Sequence, residues 1–118
     1  QNVEYETISS KEKEESSAAI RERVNKAREI QNKRFAGTGI SCNANMTAAA
    51  TREYCTMTDD ANMLMKNSFE RLGMSGRAYD KVLRVARTIA DLAGSENIEF
   101  EHIAEALQFR ALDRKYWE

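Results

Sequence analysis

Along most of this chain apolar side chains recur at spacings of three and four, the period of an α-helix that packs on one face. Gln1 to Ile8 lacks that period and reads as an exit strand or linker. Ser9 to Ser17 is small and charged, a solvated lead-in. A long helix is expected from about Ser17 to Arg34, with Ile20, Val24, Ala27 and Gln31 on one face and Ile30 and Phe35 beside it. Ala36-Gly37-Thr38-Gly39 ends it, because glycine supplies the positive φ that helix termination often requires. Ile40 to Met46 reads as an irregular connection and Thr47 to Cys55 as a short helix. Thr58-Asp59-Asp60 is a hydroxyl cap followed by acids. The helix it starts has Ala61, Leu64, Met65, Ser68 and Leu72 on its buried face and stops at Gly73. A final helix is predicted from about Phe100 to Lys115, packing through Phe100, Ile103, Ala104, Leu107 and Ala111.

The sharpest pattern lies between these two, from Ser75, a serine cap, to Ala93, with Gly94 as the stop. Tyr79, Val82, Leu83, Ala86, Ile89, Ala90 and Ala93 share one face. Arg77, Lys81, Arg84, Thr88 and Asp91 keep the same spacing on the other, the two sets centred roughly 180° apart at about 100° per residue. Such a cationic stripe is either a solvated face balanced by Asp80 and Asp91, or a seat for something anionic. Its first member, Arg77, sits in the opening turn, where the helix dipole adds positive potential. Arginine at three of the four positions Arg77, Lys81, Arg84 and Arg87 suits fork-like contacts to phosphate or carboxylate.

Composition agrees with this picture. The 118 residues make one domain, long enough to bury about two-thirds of the unfolded surface. No proline and only five glycines interrupt them, which favours an all-α fold: a compact bundle of four or five helices joined by short loops. No internal repeat is visible. A formal net charge of −1 gives no global pull toward nucleic acid or membrane. Residues 21–34, however, carry six Lys/Arg against two Glu. With no aromatic interleaved, that basic helix gives little support to single-strand stacking and reads as a solvated or subunit-facing surface. No apolar run reaches the roughly 18 residues of a membrane span and no signal-peptide pattern opens the chain, so a cytoplasmic setting is expected. The first residue is Gln rather than Met, as in a piece of a longer chain.

The remaining chemistry is sparse. Cys42 and Cys55 are expected as reduced thiols rather than a disulfide. They and His102, the single histidine, lack zinc-like spacing, so no metal site is expected and His102, next to the apolar face of the last helix, is taken to pack there. Met57, Met63, Met65 and Met74 read as core filler. Tyr116-Trp117 is either a packing plug or a contact to a neighbour. The G-x-x-x-x-G-K-[ST] phosphate loop is absent, so this domain alone binds no nucleotide by that route.

Several blocks carry a resemblance. They are Glu15–Val24, Ala27–Gln31, Arg34-Phe35, Asn43-Ala44-Asn45-Met46, Met74–Asp80, Leu83–Leu92, His102–Ala106 and Gln108-Phe109-Arg110. Together they resemble the C-terminal domain of the magnesium-chelatase-like AAA+ ATPases of bacteria, the competence-associated ComM/YifB type, over residues 3–117. The resemblance implies a helical lid domain over 15–118, with 1–14 as the exit segment from a preceding AAA+ core that carries the phosphate loop and the Mg²⁺-binding motif. It also implies that this helix donates the sensor-2 arginine: Arg77 in Ser-Gly-Arg by motif position, Arg84 as second candidate, and Lys81 beside them as a further nucleotide contact. Two departures stand out, Gly76 where alanine is expected and Lys81 where arginine is usual. ATP and Mg²⁺ would then belong to the full-length protein. Its partners would be that core, the neighbouring subunits of a homo-hexamer, and DNA during uptake and recombination, with no membrane. Two alternatives remain open: a subunit of a true magnesium chelatase, and a freestanding helical DNA- or protein-binding module.

Overall fold

In the computed structural model the structure describes residues 2–112, with side chains from 17 to 111. Five α-helices make up the fold: α1 (Asn2–Arg34), α2 (Ala48–Tyr54), α3 (Asp59–Leu72), α4 (Gly76–Leu92) and α5 (Phe100–Leu112), with a 3₁₀ turn at Asn43–Asn45. The chain is all-α, as its pattern predicts. The expected run of α5 to Lys115 and the pair Tyr116-Trp117 lie outside the described residues.

Local chemistry sets the boundaries. Thr47, Thr58 and Ser75 are N-caps whose hydroxyls accept the backbone N–H of Ala50, Ala61 and Ala78. α3 ends on Gly73 at φ 61°, where a residue with a Cβ is strained. Ser75→Ala is expected to cost about 1 kcal/mol and to lower Tm by about 4–8 °C in thermal unfolding. A change under about 1 °C would show that the cap is not needed to hold the head of α4.

α1 differs most from expectation. It is helical from Asn2, through the segments read as linker and lead-in, because no glycine or proline occurs before Gly37 and Lys/Glu-rich sequence propagates a helix well.

α4 is the hub. It packs against α5, α1, α2 and the 3₁₀ turn, while α3 packs on α5. The core joins Ala61 and Met65 of α3, Ala78, Val82, Leu83, Ala86 and Ala90 of α4, and Ile103 and Ala106 of α5, with Phe35 and Met46 closing one end. Five alanines in that set let the helix backbones approach closely. Ile98 is fully buried between α4 and α5. Its N–H donates to the Thr56 carbonyl and its own carbonyl accepts from Thr58 N–H, which ties the α4–α5 loop to the start of α3.

Several expected core positions are exposed instead: Ile20, Met63, Leu72, Phe100, Ala93 and Ala111. All but Ile20 and Met63 lie at or beyond helix ends.

Both cysteines are free thiols. Cys55 is buried and its Sγ lies 3.8 Å from the Leu83 carbonyl oxygen. Burial pushes this thiol up to about 11, against the pull of Arg87 and Arg34. The fold therefore favours the neutral form. That stability is present below the unfolded value near 9 and is lost as pH rises through about 11, a decline of about 2–3 kcal/mol. Thermal unfolding of the native chain and Cys55→Ala between those pH values checks this. The native chain is expected to fall more steeply, and parallel profiles would refute it.

Candidate functional site

The polar stripe of α4 is divided in two by what packs on it. Its N-terminal half is open: Arg77 is exposed, Lys81 and Arg84 half-buried. Its C-terminal half is roofed. Asp91 is 2% exposed, and so is Arg87. Both were expected on the solvent side. The end of α1 and the 3₁₀ turn cover Asp91, and the loop after α4 holds Arg87.

Under that roof is a buried polar cluster. Arg34 forks onto Asp91, Nη1 to Oδ2 at 2.8 Å and Nη2 to Oδ1 at 2.7 Å, and Nη1 also donates to Asn43 Oδ1 at 2.9 Å. Asn43 Nδ2 donates to Asp91 Oδ2 at 2.8 Å and to Thr88 Oγ1 at 3.2 Å, while the Asn43 N–H meets Gln31 Oε1. From within α4, Arg87 Nε donates to Asp91 Oδ1 at 3.1 Å, and its two Nη atoms donate to the carbonyls of Ser95 and Glu96. Hydrogen bonding to Asp91 raises the affinity of Arg34 for its proton. Burial lowers that of Arg87, against the pull of the same carboxylate. One carboxylate thus fastens α1, the 3₁₀ turn, α4 and the α4–α5 loop together. The cluster is a frame. It fixes where the open half of the stripe points.

That open half borders a groove of about 540 Å³, in which Lys81, Arg84 and Thr88 face the apolar Val85, Leu92 and Phe109, with Ala44 of the 3₁₀ turn at one wall. Arg77 stands outside the groove, on the first turn of α4 above the Ser75 cap. By helix rise it lies about 10 Å from Arg84 along the axis. Among the described residues neither Arg77 nor Arg84 has an acidic side chain within ion-pair distance. Of the predicted cations, then, Lys81 and Arg84 share a groove and Arg77 is the separate, solvent-facing one. Arg87 belongs to the frame instead.

His102 is buried, and its Nδ1 accepts the Glu99 N–H at 2.9 Å, so it caps α5 from the third position. Glu99, Glu101 and His102 offer ligand atoms within 4.8 Å of one another. Its Nδ1 is already engaged by the Glu99 N–H, and the helix N-terminus disfavours a cation there. Among the described residues no helix is long and apolar enough to cross a membrane.

Sequence reasoning missed the frame. Its one local signal is Arg87 followed by Asp91 four residues on, an i,i+4 pair placed beside the apolar stripe.

Comparison with known proteins gives a consistent answer. A family model described as magnesium chelatase, subunit ChlI C-terminal, matches residues 14–110. The chain is 42% identical over 100 residues to the competence protein ComM of Haemophilus influenzae, and 39% identical over 100 residues to the uncharacterized protein YifB of Escherichia coli. Each match covers 85% of this chain and 19% of the relative. An uncharacterized protein of Mycobacterium tuberculosis is 33% identical over 96 residues, 81% of this chain and again 19% of its own length. The chain thus spans about a fifth of the relatives it matches. No solved structure matches it.

Proposed function

This chain belongs to the magnesium chelatase subunit ChlI C-terminal family, and from that premise we propose that it is the helical lid of a larger AAA+ ATPase. In this reading Arg77 is the sensor-2 arginine, with Arg84 and Lys81 beside it. The observation that carries the reading is the state of Arg77: exposed, in the first turn of a capped helix, with no ion pair among the described residues. A guanidinium in that position is available to an anion brought by another surface.

The donor set suits a nucleotide phosphate: Arg77 is exposed at the head of α4, and Lys81 and Arg84 follow it on the same side, with Asp80 beside them. ATP with Mg²⁺ supplies the phosphoryl group whose transfer drives the motor. Arg77 would donate charge-assisted hydrogen bonds to the terminal phosphate oxygens and stabilise charge developing there. α4 is locked to α1 by the Arg34–Asp91 fork, so a shift of Arg77 toward the phosphate would carry the rest of the lid with it. The preceding module would hold the phosphates and the metal ion, in a homo-hexamer acting on DNA.

ATP turnover by the full-length protein tests this. Arg77→Ala is expected to reduce turnover at least about tenfold, and Arg84→Ala less. Both variants at native turnover would sink the assignment. Porphyrin metallation by the full-length protein with partner subunits would instead place it among true chelatases.

A further inference from the structure

The outer surface of α1 is not uniform. Of its described side chains, Ala27 is buried and Val24, Gln31 and Arg34 are half-buried; the others are exposed. The helix is therefore bare around most of its circumference. At about 100° per residue most of its exposed polar residues fall into two strips. Glu22, Lys26, Glu29 and Lys33 form one. Lys26 Nζ lies 3.4 Å from Glu22 Oε1, and Glu29 and Lys33 repeat the i,i+4 spacing seven residues on, so this strip neutralises itself. Arg21, Asn25, Arg28 and Asn32 form the other, within about 60° of one another, with no acid among them. Arg23 is exposed on the opposite side of the helix and Arg34 is paired with Asp91, so this strip is the flank on which two arginines stand with no acid between them.

We propose that the Arg21–Asn25–Arg28–Asn32 strip is a contact surface for the phosphate backbone of duplex DNA. All four side chains donate hydrogen bonds, and the guanidinium fork fits phosphate oxygens bidentately. Asparagine between two arginines adds neutral donors without competing for the anion.

The rest of the strip's character selects the partner. A protein interface draws its energy from apolar and aromatic anchors near its centre. This strip has none, since Ile20 and Ile30 point elsewhere on the helix. Single-stranded nucleic acid is bound by aromatic stacking, which is also absent. A duplex offers what remains: a regular anionic track whose binding is driven by counterion release. A bare helix of about 10–12 Å diameter also fits a major groove about 12 Å wide. This inference names a surface for the DNA action proposed above, yet it stands on α1 alone and needs no nucleotide.

The test is fluorescence anisotropy of a labelled 20-base-pair duplex titrated with this 118-residue chain, to about 100 μM, the weak end of non-specific binding. Binding is expected at 50 mM salt and should weaken as salt rises. Arg21→Ala/Arg28→Ala removes two phosphate contacts, so the slope of log K against log salt should become shallower by about 2. Affinity at 50 mM should drop at least about tenfold. Lys66→Ala/Arg71→Ala on α3 makes the same change in net charge at two exposed sites and should change affinity less than about threefold. Circular dichroism verifies that each pair of exposed substitutions leaves the fold intact. No binding at 50 mM salt, or equal loss from the α3 pair, overturns the proposal. So does polyglutamate competing as well as unlabelled duplex, which would make the partner an acidic polypeptide. Failure here leaves turnover and Arg77 untouched, because no step of this assay involves ATP.

Discussion

Asp91→Ala is expected to destabilise the domain by about 3–5 kcal/mol, the range found when one partner of a buried ion pair is removed. Its two guanidinium partners are held differently. Arg34 is half-buried and can turn toward water when its carboxylate is lost. Arg87 is 2% exposed and its Nη atoms are committed to the Ser95 and Glu96 carbonyls, so its charge would stay buried with nothing to balance it. Asn43 Nδ2 would also lose its shorter acceptor. Against a total stability of about 5–15 kcal/mol for a domain of this size, the loss is severe. Arg34→Ala leaves the Arg87–Asp91 pair intact and is expected to cost about 1–2 kcal/mol. Urea unfolding followed by circular dichroism separates the two. The frame is not what holds α1 to α4 if Asp91→Ala unfolds within 1 kcal/mol of the native chain, or if Arg34→Ala costs as much.

That cluster also marks the limit of what the sequence could show. Helix ends were legible because they are decided locally. Thr47, Thr58 and Ser75 cap within three residues of themselves, and Gly73 adopts a backbone conformation that other residues avoid. The apolar face of α4 was legible for the same reason: its period needs no knowledge of what packs on it. The fate of the polar face was not. A helical wheel puts Asp91 with Arg77 and Arg84, facing water. The structure buries it, because Arg34, 57 positions earlier in sequence, folds back over that end of α4. Nothing within a few residues of Asp91 carries that information. The groove shared by Lys81 and Arg84 depends in the same way on Ala44 and Phe109, from two other elements. At α1 the error had another source. Residues rich in Lys and Glu read as solvated, and solvation is no obstacle to a helix.

The largest functional effect is expected at Arg77. In the full-length protein Arg77→Ala should lower turnover by about 10- to 1,000-fold, about 1.4–4 kcal/mol of transition-state stabilisation. The upper figure matches the low end of what an arginine finger supplies in phosphoryl transfer. Folding should not share in the loss. Arg77 is exposed and carries no ion pair among the described residues, so Tm should stay within about 1–2 °C. The loss is therefore assignable to chemistry rather than to stability. Its distribution between kinetic constants gives the role. An arginine that contacts the phosphate chiefly as charge develops lowers kcat and leaves KM close to native, whereas one that only holds bound nucleotide raises KM at constant kcat. Arg77→Lys keeps the charge and loses the planar fork, so it should recover only part of the lost turnover. Arg84 provides the internal comparison. It is half-buried at the edge of the groove and about two turns further along α4, so a nucleotide approaching the head of the helix meets Arg77 first. If Arg84→Ala lowers kcat more than Arg77→Ala, the phosphate lies over the groove and the two arginines exchange roles. If Arg77→Ala retains half of native turnover or more, the head of α4 does not face the reacting phosphate at all.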